Sequence, residues 1–405
     1  MPIGYLVTTT LLACCTALAL ASPRPRHSSP SNLSYFLGFL VNELPFLAIY
    51  VLIASSLLAG AEGDLDTPVG WAGLAVAVLA TLGLVVVAGR APSAGPALDE
   101  ALSVGLGPHW RRSLDSGLAA RLRRRLPYGR ILLAPWPFRR HDVRRVANIR
   151  YGDAGRRNLL DLFHHRSRPS GGPILIHLHG GAFRSGGKNR EARPLLHRLA
   201  SQGWVCVSAN YRLGRAARFP DHLVDLKKVI AWVREHGPEY GADPATLFVS
   251  GSSAGGHLAA MAALTQNDPA LQPGFEHADT SVTAAIPMYG YYGRLGSDDE
   301  RLPTSPADCV RSDAPPFFVL HGDQDTIVLV EDARAFVERL RDTSANAVVY
   351  AELPRAQHGF DLVHSIRFEL VVDAIEAFTV WVRSRADAAG ARVGQPSTGR
   401  PDQDR

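Results

Sequence analysis

Lysine is almost absent from this 405-residue chain: Lys188, Lys227 and Lys228 are the whole supply, so the net charge of +5 at pH 7 rests on arginine. Such a bias reads as codon usage in a GC-rich genome, and not as a surface built to hold nucleic acid. Cysteine is nearly as scarce. Cys14, Cys15, Cys206 and Cys309 make no metal-ligand spacing, two of them sit inside an apolar run, and nothing in their placement demands an oxidising compartment. Internal repeats are missing as well. Charge is missing altogether from two long stretches, Ile3 to Ala21 and Trp71 to Gly89.

Each of those stretches is about 20 residues, close to what a helix needs to cross roughly 30 Å of hydrocarbon. Between them, Tyr35 to Gly60 is broken only by Asn42, Glu43 and Pro45. The front end, residues 1–90, therefore reads as a membrane region with about three transmembrane helices. Arg24 and Arg26 follow the first run, Glu62, Asp64 and Asp66 the second, and Arg90 the third. Arginine clusters mark the cytoplasmic side, so everything after Arg90 is expected there. Ala17-Leu18-Ala19 and Ala19-Leu20-Ala21 also resemble cleavage sites, which would make the first run a signal peptide and turn the rest outward. It lacks the basic start such peptides use, and Leu12 fits poorly with lipid attachment at Cys14.

Residues 91–140 read as a basic amphipathic linker. Trp110, Leu114, Leu118, Leu122 and Leu126 recur at helical spacing, while Arg111, Arg112, Arg121, Arg123, Arg124 and Arg125 crowd the other positions, and Ile131 to Phe138 is apolar and aromatic. Two readings stand: a helix packed on the main domain, or one lying on anionic headgroups. From 141 to 385 short apolar runs alternate with amphipathic helices, the pattern of a mostly parallel α/β sheet covered on both faces. Eight strands are expected, near 147–151, 158–163, 174–179, 204–209, 247–250, 284–288, 317–321 and 348–352. Helices are expected at 191–201, 222–235, 254–264, 331–341 and 366–385. The polar tail, 386–405, reads as disordered.

The stretch Thr246 to Ala260, TLFVSGSSAGGHLAA, organises this domain. A strand-like run breaks into Gly251-Ser252-Ser253-Ala254-Gly255, a G-x-S-x-G pattern, and turns at once into a helix start. Only glycine-sized neighbours leave room for that turn, so the Ser253 hydroxyl stands at the sheet edge, where the helix aims its unpaired N–H groups. The third strand ends in His177-Leu178-His179-Gly180-Gly181-Ala182-Phe183. Gly180 and Gly181, with the amide of Ala254, are the expected donors of an oxyanion hole. His177 and His179 have no third ligand at metal spacing and read as structural. Gly187-Lys188 falls short of a phosphate loop. The seventh strand runs into His321-Gly322-Asp323-Gln324-Asp325, and Gln357-His358-Gly359-Phe360 follows the eighth. A serine hydroxyl is a poor nucleophile until an imidazole takes its proton, and the imidazole needs a carboxylate to hold its tautomer. Ser253, Asp325 and His358 stand in the hydrolase order, with Asp323 as fallback acid.

HGGAF, GSSAGGHLA, HGDQDTIV and QHGFD, with Asn210-Tyr211-Arg212-Leu213, resemble the α/β-hydrolase esterase/lipase superfamily, close to its bacterial carboxylesterase and hormone-sensitive-lipase-like branches. The resemblance covers about 145–385 and implies the α/β-hydrolase fold, preceded here by transmembrane helices, with Ser253 as nucleophile, Asp325 as acid and His358 as base. It implies no metal or organic cofactor. Ala182 replaces a third glycine, and Ser252 stands where such relatives often carry Asp. The expected function is a membrane-anchored serine carboxylesterase or lipase that forms an acyl-enzyme on Ser253, with an ester substrate, membrane lipids as neighbours and no nucleic-acid partner. The same triad also runs amidase, formamidase, isoprenylcysteine methylesterase and acyltransferase chemistry. The main insertion, Gly290 to Ala314, is too short for a large cap, and a bilayer beside the site favours lipophilic esters.

Overall fold

A computed structural model describes residues 2–21, 28–120, 122, 125–136, 139–214 and 217–393. Arg24, Arg26, Arg121, Arg123, Arg124, Phe138 and the tail segment 394–405 lie outside the described residues. The eight strands are β1 (Val143–Arg150), β2 (Leu159–His165), β3 (Gly172–Leu178), β4 (Val205–Ala209), β5 (Ala242–Ser252), β6 (Ala284–Met288), β7 (Phe317–Gly322) and β8 (Val348–Leu353). They form one sheet in the order β1-β2-β4-β3-β5-β6-β7-β8. The β1–β2 and β2–β4 pairs are antiparallel and the rest are parallel. Ile174, Leu175, Ile176, Leu247, Phe248 and Val249 are each 0% exposed, because a parallel sheet carries helices on both sides and its middle strands meet no water.

Alternate residues along β3 feed two separate cores. Ile174, Ile176 and Leu178 pack with α9 (Asp221–His236), α10 (Ala254–Leu264) and α11 (Val330–Thr343) on one face. Leu175 packs with α8 (Arg193–Ser201) and α12 (Ile366–Val393) on the other. The last helix runs to Val393, eight residues past its expected end, so 386–393 are helical and not an irregular tail.

In the front end the middle apolar run, the one interrupted by Asn42, Glu43 and Pro45, is broken in two. Among the described residues, 1–90 hold four α-helices: α1 (Pro2–Ala21), α2 (Ser28–Glu43), α3 (Pro45–Ala61) and α4 (Pro68–Arg90). Two helical rods are long and apolar enough to cross a membrane, α1 and the run that α4 begins. A third exists only if α2 and α3 count as one, and they are bent by 98°. Pro45 explains the bend: it has no N–H for the helix ladder and pushes Leu44 out of the helical region, to φ −127° and ψ 54°. Glycine lets α4 close on α1, since a Cβ at Gly73 would meet the Tyr5 ring at 2.8 Å and one at Gly83 would meet Thr16 at 2.7 Å. Tyr5 and Ser56 share a hydrogen bond of 2.8 Å at one end of this bundle, and Arg90 donates to the Leu20 carbonyl at 3.2 Å at the other.

The linker is also corrected. Among the described residues no long amphipathic helix runs from Trp110 toward Leu126; α5 (Ala94–Leu106) ends at Gly107, and short turns, α6 (Ser116–Ala119) and α7 (Tyr128–Leu133) follow. Gly107 takes φ +94° and Leu114 is extended, which stops helix propagation at both points. Trp110 is buried in the α12-side core, with Leu114 and Leu122 packed against it. The Asp115 amide donates to Ser384 Oγ at 2.8 Å, pinning the segment to α12.

Candidate active site

β5 delivers Ser253 and α10 begins at the next residue. Ser253 takes φ +57° and ψ −116°, a conformation that costs a non-glycine residue about 1–3 kcal/mol and is held by its surroundings. The glycines on either side show why the turn needs them. A Cβ at Gly251 would lie 2.1 Å from the Gly255 carbonyl, and one at Gly255 would lie 2.1 Å from the Leu178 carbonyl. The Ser253 amide is fixed by the Met288 carbonyl at 3.0 Å.

The three residues expected to act together do meet. His358 Nε2 lies 3.0 Å from Ser253 Oγ, and His358 Nδ1 lies 2.7 Å from Asp325 Oδ2. Asp325 is locked before it reaches the imidazole: its Oδ1 accepts the amides of Ile327 and Val328, both at 2.9 Å, and His321 lies 3.4 Å from Oδ2. Burial alone would raise the Asp325 pKa, but the His358 charge and the bonds from His321 and His358 hold it well below the usual carboxylate range. With Nδ1–H given to Asp325, Nε2 is left to accept the serine proton. Asp323, the fallback acid, lies instead beside Arg355.

The oxyanion side is more particular than the sequence reading. A Cβ at Gly180 would come within 3.0 Å of Ser253 Cβ, so the β3 turn lies directly against the serine, and Gly181 takes φ +121°. The buried Glu191 carboxylate lies behind this turn, and Gly180, Gly181 and Ala254 are the candidate donors. His177 Nδ1 contacts Ser250 Oγ at 3.0 Å, and His179 stacks on Tyr211 with centroids 4.4 Å apart, so both serve the scaffold.

Sequence reasoning missed a buried polar group behind the serine. Ser252 donates to Asp361 Oδ2 at 2.5 Å, and the Tyr289 hydroxyl donates to the other oxygen of Asp361. The position where relatives often carry Asp is thus served from across the fold by the last residue of QHGFD. Glu191, also missed, is pushed up to about 8 by burial first and then by the charge of Asp361. A signal for both was faint: carboxylates beside short glycine motifs. A cavity of about 730 Å³ opens beside the turn, lined by Ala182, Phe183, Arg184, Gly214, Ala217 and Arg218.

Comparison with known proteins decides the family. The protein named "Probable carboxylic ester hydrolase LipM" from Mycobacterium tuberculosis is 38% identical over 97% of this chain and 96% of its own length. This chain belongs to the α/β-hydrolase carboxylesterases. It is a serine hydrolase acting on esters. The family model described as BD-FAE matches residues 160–296. "Esterase LipQ" of the same organism is 42% identical over 66% of this esterase and 69% of its own length. A solved structure titled "Truncated form of carbohydrate esterase from gut microbiota" is similar in fold, with a TM-score of 0.50 at 19% identity over 58% of this esterase and 96% of that chain.

Proposed function

We propose that this esterase is membrane-anchored and works through an acyl-enzyme on Ser253. The contact that carries the reading is the unbroken line from Ser253 Oγ through the His358 ring to Asp325. His358 Nε2 takes the hydroxyl proton as Oγ bonds to the ester carbon. The amides of Gly180, Gly181 and Ala254 are the donors offered to the negative oxygen, and Asp325 stabilises the charged imidazole. Collapse breaks the carbon–alkoxide bond, and Nε2 returns its proton to the leaving alcohol. Water, deprotonated by the same nitrogen, cleaves the acyl–Ser253 bond and frees the acid.

Anchoring is supported by what the front helices leave uncovered: Ile3 and Leu57 are each 71% exposed and Leu79 68%. Tyr128, Leu133 and Trp136 stand exposed near α7, as interfacial side chains do. On this reading residues 1–90 form the membrane region and 91–140 tie it to the catalytic domain of 141–385, and Arg90 at the end of α4 supports a cytoplasmic catalytic domain. Lipophilic esters are the substrate class. Initial rates on p-nitrophenyl esters of rising chain length, set against matched amides, test the reaction: esters should turn over at least about 100-fold faster, and amides turning over as fast would reassign it. Protease protection on intact cells tests the orientation, since digestion of the catalytic domain from outside would reverse it.

A further inference from the structure

α2 packs on the bundle through Leu37 and Val41 and meets the catalytic domain with another face. Tyr35, Phe39, Asn42 and Glu43 fall at i, i+4, i+7 and i+8, which places them on one helix face. All four meet the segment that carries His358. The Tyr35 ring stands edge-on to the His358 ring, with centroids 6.0 Å apart and planes at 79°. A Cβ at Gly359 would lie 3.0 Å from the Tyr35 hydroxyl and 3.6 Å from the Phe39 ring, so a glycine there lets the helix settle onto the loop. Asn42 Nδ2 donates to the Arg355 carbonyl at 3.1 Å, before the histidine. Glu43 accepts from Ser365 Oγ at 2.8 Å and pairs with Arg367, after it. Arg367 is 1% exposed, and its second nitrogen donates to the same Arg355 carbonyl. One helix face therefore grips both ends of the His358 loop and covers its middle.

Tyr289 borders the same imidazole, with centroids 4.5 Å apart, so the ring has an aromatic neighbour from the sheet and another from the front end. In the mechanism above, His358 Nε2 hands its proton to the leaving alkoxide. That oxygen must come within about 3 Å of Nε2, so whatever borders the imidazole also borders the alcohol half of the ester. The acyl half is carried by the carbonyl carbon toward the oxyanion turn, where the cavity beside Ala182 and Phe183 opens.

We propose that α2 is the specificity wall for the alcohol portion of the substrate, and that Tyr35 and Phe39 select esters of lipophilic alcohols. The 98° bend at Leu44 supports this role: when α3 stands along the bilayer normal, α2 lies along the membrane surface with the catalytic loop on the face that carries Tyr35 and Phe39. An alcohol chain held in lipid reaches His358 along that face without crossing water. This inference rests on the acyl-enzyme reading.

The test uses the full chain in detergent or nanodiscs and two substrate series. Alkyl butyrates from methyl to octyl vary the alcohol; p-nitrophenyl esters from acetyl to decanoyl vary the acid. Tyr35→Ala and Phe39→Ala should lower the octyl-to-methyl ratio of kcat/KM by roughly tenfold, and leave the decanoyl-to-acetyl ratio within about twofold of wild type. Phe39→Leu, which keeps most of the packed volume and serves if the alanine variants fail to fold, should shift the alcohol ratio alone. Wild-type activity with neither ratio moved, or with the acyl ratio moved instead, overturns the wall while leaving the triad intact. A wild type that hydrolyses no member of either series sinks the acyl-enzyme reading and the wall with it.

Discussion

β3 and β5 on one side, and α1, α3 and α4 on the other, carry little charge and much Leu, Val, Ile and Ala. In β3, and in β5 from Leu247 on, those side chains are sealed, whereas Leu57 and Leu79 face outward from their helices. A leucine left in water forgoes about 1.5–3 kcal/mol relative to burial, so a bundle presenting many of them supports the proposed membrane setting. Apolar content alone states how much surface must leave water. Periodicity, glycine contacts and the position of the few polar residues state where it goes.

Removing the nucleophile breaks the comparison at its most polar point. Ser253→Ala should lower kcat roughly 10⁴-fold or more, with the melting temperature little changed, because the residue contributes chemistry and not packing. Next in size comes the junction between the two regions. Arg367→Met leaves Glu43 buried without its partner and should cost about 3–5 kcal/mol in denaturant unfolding, while pairing it with Glu43→Gln should restore most of the loss. In the bundle, Leu79→Arg should reduce membrane insertion by about 2.5–3.5 kcal/mol, seen as protein lost from the membrane fraction. The same change would be nearly neutral if that face met water.

The smallest effect is a pH slope. Glu191 has its pKa raised from 4.5 to about 8, by burial and then by Asp361. Its folded form therefore favours the proton more than the unfolded chain does. That stabilisation is complete below pH 4.5 and is lost as pH rises through about 8. Wild type should lose stability steadily across this window, and Glu191→Gln should flatten the slope. An unchanged slope in thermal melts would place the titration elsewhere.

Most of the catalytic domain was legible because its signals are local. An apolar run ending in G-x-S-x-G dictates a strand, a strained turn and a helix within a dozen residues. His358 and Asp325 were found by their order after strand ends. What stayed hidden depends on partners far along the chain. Ser252 meets Asp361 across 109 positions, and Glu43 meets Arg367 across 324, with no periodicity to link them. Glu43 still left a trace, since a lone carboxylate in an apolar run requires a buried partner. Pro45 left another: it stood in plain view as an interruption, yet the bend it imposes appears only when Leu44 and the packing around it are seen. The linker misled because leucines at helical spacing say nothing of Gly107, which ends the helix before them.

The central claim is that one hydroxyl, activated by His358, performs the chemistry beside a membrane helix. Labelling the full chain with a fluorophosphonate probe and mapping the modified peptide tests it directly. Wild type should carry the label on Ser253, His358→Ala should label at background rate, and Ser253→Ala should not label. Persistent labelling of Ser253→Ala, or a modified residue elsewhere in the wild type, would contradict the account.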